Sequence, residues 1–163
     1  MTQRVLGIDP GLQITGYGVI ETASGTPRVC EAGVIRTTGP SANMVGRIRT
    51  IYQSLLEVID QLHPEVMAVE QLYAHYNHPR TAILMAHARG IAFLAAAQRG
   101  LDVVSYNATR IKKTVTGNGR ASKDQVQRTI QRELNLAVVP EPPDVADALA
   151  AALCHYYAQK MPA

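Results

Sequence analysis

Tryptophan is absent, phenylalanine occurs once, and the only cysteines are Cys30 and Cys154. The two cysteines lie far apart and form no CxxC pair. They suit free thiols in a reducing cytoplasm and read as small buried side chains. His75 and His78 have ligand spacing but no second pair to complete a zinc site, and His63, His87 and His155 read as surface or core-edge residues. No uninterrupted apolar run approaches the roughly 20 residues that cross a bilayer. Met1-Thr2-Gln3-Arg4 leads straight into a strand-like run, leaving no room for a signal peptide. The expected setting is therefore cytoplasmic, with no membrane partner. No repeat, low-complexity tract or dividing linker interrupts the 163 residues, which read as one domain spanning 1–163.

What the chain does have is carboxylates in apolar company. Asp9 ends Val5-Leu6-Gly7-Ile8, Glu70 ends Val66-Met67-Ala68-Val69, and Asp144 and Asp147 open the run from Ala148 to Leu153. An ionisable group inside an apolar run costs free energy unless something there needs its charge. Four such places point to one acidic cluster. Each acid except Asp147 also has a plain structural use. Asp9 precedes Pro10-Gly11 and suits a turn, Glu70 suits a strand end facing an arginine, and Asp144 follows Pro143 at a helix start, where the dipole favours any acid. Asp147 is harder to place that way, because Ala146, Ala148, Ala150 and Ala151 surround it.

Residues 4 to 9, 14 to 22 and 28 to 37 read as three strands. Gly16 and Gly18 thin one face of the second, and Ser24-Gly25 marks a turn before the third. Their short connections favour an antiparallel meander. Met44, Ile48, Ile51, Leu55, Val58, Ile59 and Leu62 form a helical stripe over residues 43 to 62, with Ser41 as candidate N-cap and Pro64 as the stop. Val66 to Val69 is continuously apolar, as a central strand covered on both faces requires. A long helix is expected from Pro79 to Arg99. Ala82, Ala86 and Gly90 on it recur at every fourth place and suit close helix packing, in the core by default or at a subunit contact. Asp102 to Tyr106 reads as a strand, and Asn107 caps a short helix ending at Gly117. Ser122-Lys123-Asp124-Gln125 is a capping box for a helix packing through Val126, Ile130 and Leu134, and a last helix runs from about Asp144 to Gln159. The fold class is α/β: a mixed five-stranded sheet, antiparallel over its first three strands and parallel in the remainder, flanked by helices.

Asp9 and Glu70 sit at the C-terminal ends of strands, where open α/β sheets bind ligands. Asp144 and Asp147, three apart, share one helix face. Two like charges about 4 Å apart cost about 4 kcal/mol at an effective dielectric near 20, so convergence of the four calls for a cation. All-oxygen ligation points to Mg²⁺ or Mn²⁺ rather than zinc. The net charge of +3 is mild, but between residues 110 and 128 Arg110, Lys112, Lys113, Arg120, Lys123 and Arg128 stand against Asp124 alone. A basic stripe beside an acidic cluster suggests a polyanion held next to metal; a solvated helix face would carry the same charges. Lys123 lies in a first helical turn, where a cation opposes the macrodipole, and that helix start offers N–H groups to a phosphate. Ile111 and Val115 face inward and leave Lys112 and Lys113 outward. Tyr73 and Tyr76, soon after Glu70, either stack on an exposed base or fold back on the core.

Three segments carry a resemblance: Leu6-Gly7-Ile8-Asp9-Pro10-Gly11 with Thr15-Gly16-Tyr17-Gly18, then Ala68-Val69-Glu70-Gln71, then Asp144-Val145-Ala146-Asp147-Ala148-Leu149-Ala150. In order and spacing, along nearly the whole chain, they resemble the RuvC family of Holliday junction resolvases. The resemblance implies a ribonuclease-H-like fold and a homodimer whose two sites nick two strands of like polarity across a four-way junction, in DNA recombination and repair. It implies that Asp9, Glu70, Asp144 and Asp147 are catalytic and hold up to two Mg²⁺ ions per subunit, with Mn²⁺ substituting. The hydrolysis would leave a 5′ phosphate and a 3′ hydroxyl. It also implies DNA handling by Lys112 and Lys123, disturbance of base pairing at the crossover by Tyr73, and the branch-migration proteins RuvA and RuvB as partners. Other readings use the same residues. A non-catalytic DNA-binding module gains nothing from carboxylates facing phosphate. An actin-like phosphotransferase needs two domains and a longer chain. A ribonuclease H acting on RNA–DNA hybrids is separated from the resolvase only by the motif match.

Overall fold

The computed structural model describes residues 2–23, 25–37, 39, 43–72 and 78–160. β1 (Arg4–Asp9), β2 (Ile14–Ala23) and β3 (Thr26–Arg36) form an antiparallel meander. After them come α1 (Met44–Leu62), β4 (Val66–Glu70), α2 (Pro79–Gln98), β5 (Asp102–Tyr106), α3 (Ala108–Thr116), α4 (Lys123–Glu133) and α5 (Pro143–Lys160). β4 joins β1 in parallel and β5 joins β4 in parallel, giving the sheet order β3-β2-β1-β4-β5. This is the mixed five-stranded sheet expected from the sequence pattern, antiparallel over its first three strands and parallel in the remainder. The apolar runs ending in Asp9 and Glu70 are neighbouring central strands.

Alternation along the strands divides the core in two. Leu6, Ile8, Val19, Met67 and Val69 face α1 and α2, among Ile51, Leu55, Ala88 and Ala92. Val5, Ile20 and Ala68 face α5, with α3 and α4 beside it. On that second face the helix sits against the backbone of the sheet. A Cβ on Gly7 would lie 1.9 Å from the Ala148 carbonyl oxygen, one on Gly16 2.1 Å from that of Asp144, and one on Gly18 2.5 Å from Leu149 Cδ2. Gly7 pairs with Gly18 and Asp9 with Gly16 across β1 and β2. Side-chain-free positions on adjacent strands thus form a trough that α5 fills with the backbone of Asp144 and Ala148 and the side chains of Leu149 and Ala152.

The caps follow local chemistry. Asn107 accepts from the Arg110 N–H at 2.7 Å, and Ser122 and Gln125 form the reciprocal capping box. α1 is capped by Asn43, whose side chain accepts from the Gly46 N–H at 2.8 Å. Ser41, the expected cap, lies outside the described residues. Two further expectations change. Cys154 is buried as predicted, but Cys30 is exposed, because it lies on the sheet's outer strand. His155 is buried at 6% exposure rather than at an edge, with its Nδ1 2.8 Å from the Tyr106 hydroxyl.

α2 corrects the sequence reading more substantially. Ala88, Ala92, Ala95 and Ala96 fill its core side, so Ala86 and Gly90 of the small-residue stripe face outward with Ile83 and Leu94. The default expectation of a core role for that stripe is therefore wrong. Being apolar on both sides, α2 is also long and apolar enough, by length and composition, to cross a membrane. The estimate from uninterrupted runs missed this because Arg80, His87 and Arg89 punctuate the helix.

Candidate active site

Strand parity aims the first two acids. Asp9 shares its face of β1 with Val5 and Gly7, and Glu70 shares its face of β4 with Val66 and Ala68; all look toward α5. The first turn of α5 then lies over Gly16, the residue paired with Asp9, and so carries Asp144 and, one turn on, Asp147 to the same place. Asp9, Glu70, Asp144 and Asp147 line one cavity of about 360 Å³, and Lys112 and Lys123 line it with them. The six described residues singled out from the sequence are thus brought together. Tyr73 lies outside the described residues, as does Tyr76.

The electrostatics are those of an acid cluster short of positive charge. Burial, then the charges of Asp147, Asp144 and Glu70, push the Asp9 carboxyl up to about 8, with Lys123 opposing. Burial raises Glu70, reinforced by Asp147 and opposed by Lys112 and Lys123. Burial also raises Asp147, where Lys123 and Lys112 oppose and Asp144 reinforces. Carboxylates that repel one another stand apart: among the described residues no three His, Cys, Asp or Glu side chains are already close enough to hold a metal ion. They share a cavity rather than a point. The donor set nevertheless fits a hard divalent cation. It is all carboxylate oxygen, and the raised affinities for protons report a local demand for positive charge.

This has a measurable consequence. A group bound to its proton more tightly in the fold than in the unfolded chain destabilises the fold wherever it ionises. The Asp9 contribution is most favourable below about pH 4 and is lost as pH rises toward about 8. In EDTA at pH 8, Asp9→Asn should therefore be more stable than the parent chain by ~3–5 kcal/mol in urea unfolding. The gap should shrink toward pH 5. A variant no more stable than the parent at pH 8 contradicts the burial of this charge.

Behind the acids stands Tyr106, which the sequence reading left as a strand residue. Tyr106 pairs in register with Glu70, its carbonyl accepts from the Gln71 N–H at 2.9 Å, and its hydroxyl meets His155 of α5. The Arg110 guanidinium lies 5.0 Å from its ring centroid. It links the strand beside Glu70 to the helix bearing Asp144 and Asp147. The available signal was its parity with Val104, which places both on the α5 face.

A family model for "Crossover junction endodeoxyribonuclease RuvC" matches residues 5–155. A protein of that name from Rhodopirellula baltica is 51% identical over 160 residues, covering 97% of this chain and 88% of the relative. One from Moorella thermoacetica is 46% identical, over 93% and 89% of the two chains. Among solved structures, Thermus thermophilus RuvC in complex with a Holliday junction substrate superposes with a TM-score of 0.88 at 32% identity, over 97% of this chain and 96% of that one.

Proposed function

The chain belongs to the RuvC family of crossover junction endodeoxyribonucleases, and on that premise we propose which of its residues do the chemistry. The enzyme resolves Holliday junctions in DNA recombination and repair, and the family's nuclease chemistry depends on divalent metal. Asp9, Glu70, Asp144 and Asp147 are its metal-holding catalytic residues. The observation that carries this assignment is that four acids from three separate elements line one cavity with two lysines.

The metal is Mg²⁺, up to two ions per subunit, with Mn²⁺ substituting. When bound, it supplies Lewis-acid stabilisation of the phosphate and a hydroxide at neutral pH. The chain's own part is to hold and orient. Asp9 is fixed by a central strand and Asp144 and Asp147 by a helix in backbone contact with that strand, so their relative positions vary little. Lys112 and Lys123 hold the scissile strand's phosphates against the cavity rim, offsetting the repulsion between acids and DNA. Hydrolysis leaves a 5′ phosphate and a 3′ hydroxyl. Tyr73 is assigned by motif to the unpairing of a base at the crossover.

The working unit is a homodimer whose two-fold axis matches that of the junction. The outward side of α2 suits the second copy: Ile83, Ala86, Gly90, Leu94 and Ala97 recur at helical spacing, Ile83 is 60% exposed and Leu94 47%, and Gly90 leaves open space for close approach. The branch-migration proteins RuvA and RuvB are the further partners, and the cytoplasm is the compartment. The test is cleavage of a synthetic four-way junction, a linear duplex and an RNA–DNA hybrid, with and without Mg²⁺. The expected result is paired nicks in the junction alone and only with metal. Faster cutting of the hybrid would turn the assignment toward a ribonuclease H.

A further inference from the structure

Cations on this molecule are distributed unevenly. Arg4 is paired with Glu21 at 2.9 Å and Arg99 with Asp60 at 2.6 Å, at the end of the sheet away from the cavity; Arg128 and Arg132 pair with Asp124 and Glu133 on α4. Arg36 is different. It is the last residue of β3, it is exposed, and its side chain enters no ion pair or hydrogen bond among the described residues.

Its direction is fixed by register. Across β2 and β3, Ile14, Gly16 and Gly18 stand opposite Arg36, Val34 and Ala32. α5 covers Gly16 and Gly18, and Val34 and Ala32 pack into the core beneath that helix. By the two-residue period, Arg36 leaves the sheet on the same face, the face of Asp9 and Glu70. Its partner Ile14 lines the acid cavity. Arg36 therefore flanks the start of α5 from the β3 side, while Lys112 and Lys123, on α3 and α4, flank the cavity from the other side.

We propose that Arg36 binds a backbone phosphate of the DNA on the β3 side of the acid cavity, completing a basic rim on both sides of the cleavage site. The proposal rests on the assignment of this cavity as the cleavage site. Arg36 lies two strands from Asp9, about 10 Å across the sheet. The rise of about 3.4 Å per nucleotide is measured along the duplex axis and the backbone path between phosphates is about twice as long, so its target is a phosphate one or two nucleotides from the scissile one. An unpaired guanidinium fork suits bidentate capture of phosphate oxygens. Because the contact is to backbone, it adds affinity without sequence preference.

The test is the salt dependence of junction binding in EDTA for the parent chain, Arg36→Ala, Arg36→Lys and, for reference, Lys123→Ala. Losing one phosphate contact should reduce the slope of log K against log salt by about 0.9. Arg36→Ala should show this reduction, and Arg36→Lys should restore most of the slope, a rescue no packing role would give. Neutral methylphosphonate substituted one or two nucleotides from the cut should weaken binding by the parent chain severalfold and leave Arg36→Ala unaffected. A parent-like slope for Arg36→Ala overturns the inference whatever Lys123→Ala does. A parent-like slope for Lys123→Ala overturns the placement of Lys123 at the DNA and leaves the Arg36 result to stand on its own.

Discussion

Asp147→Asn lowers the rate of junction cleavage in Mg²⁺ by ~10²–10³-fold while junction binding stays within about threefold of the parent chain. The substitution keeps the side chain's size and removes its charge, so α5 can pack as before among Ala146, Ala148 and Ala150, all fully or almost fully buried. What is lost is one carboxylate of the set that holds the metal, and removal of a single preorganised electrostatic group at a reacting centre has an effect of this size. Binding survives because DNA affinity comes chiefly from cations meeting phosphate, and Lys112 and Lys123 are untouched. The fold should be somewhat stabilised, since burial already disfavours the ionised form of Asp147. Single-turnover cleavage and an equilibrium binding titration check the two halves. Parent-like cleavage by the variant would remove Asp147 from the metal-holding set.

Gly7→Ala acts from the other side of the same helix. A single methyl there would lie 1.9 Å from the Ala148 carbonyl oxygen and 3.0 Å from Ala152 Cβ. Neither neighbour is the end of a flexible chain; both belong to a helix whose inner face is closed. Either β1 or α5 must move by more than an ångström, and overpacking of this kind costs about 3 kcal/mol. Whatever fraction folds should cleave about 100-fold more slowly, because Asp144 and Asp147 move with α5 relative to Asp9. Denaturant unfolding and cleavage at a temperature where the variant is folded separate the two effects. An unchanged unfolding midpoint would mean that the helix has slack the packing does not indicate.

The acids and the central strands were legible for one reason: a charge at the end of Val5 to Ile8 or Val66 to Val69 conflicts with its neighbours, and such conflicts mark sites. The capping box of α4 and the Asn107 cap were legible because they are local, made within three residues of chain. What the sequence reading missed depends on contacts distant in the chain. Gly16 and Gly18 were visible as a thinning of one strand face, but that Gly7 joins them and that Ala148 to Ala152 fill the trough requires the register of β1 on β2. The small residues of α2 were visible too. Which side of the helix met the sheet was not, because both sides are apolar and neither pattern excluded the other. Cys30 and His155 changed places for the same reason: burial of a small or amphipathic side chain is set by whether its element is central or outermost, and no short-range signal records that.

β3 runs eleven residues along one edge of the sheet and, among the described residues, pairs only with β2. A strand with a free edge can recruit strands from other molecules and seed insoluble fibrils. Here Pro27 removes a donor near one end, while Arg28, Glu31 and Arg36 place charge along its length. The irregularity at Val19 and Ile20 disturbs the regular pairing on which a long flat ribbon depends. The chain thus carries its own protection against aggregation on this edge strand, and neutralising those three charges together would put solubility at risk before it altered the fold.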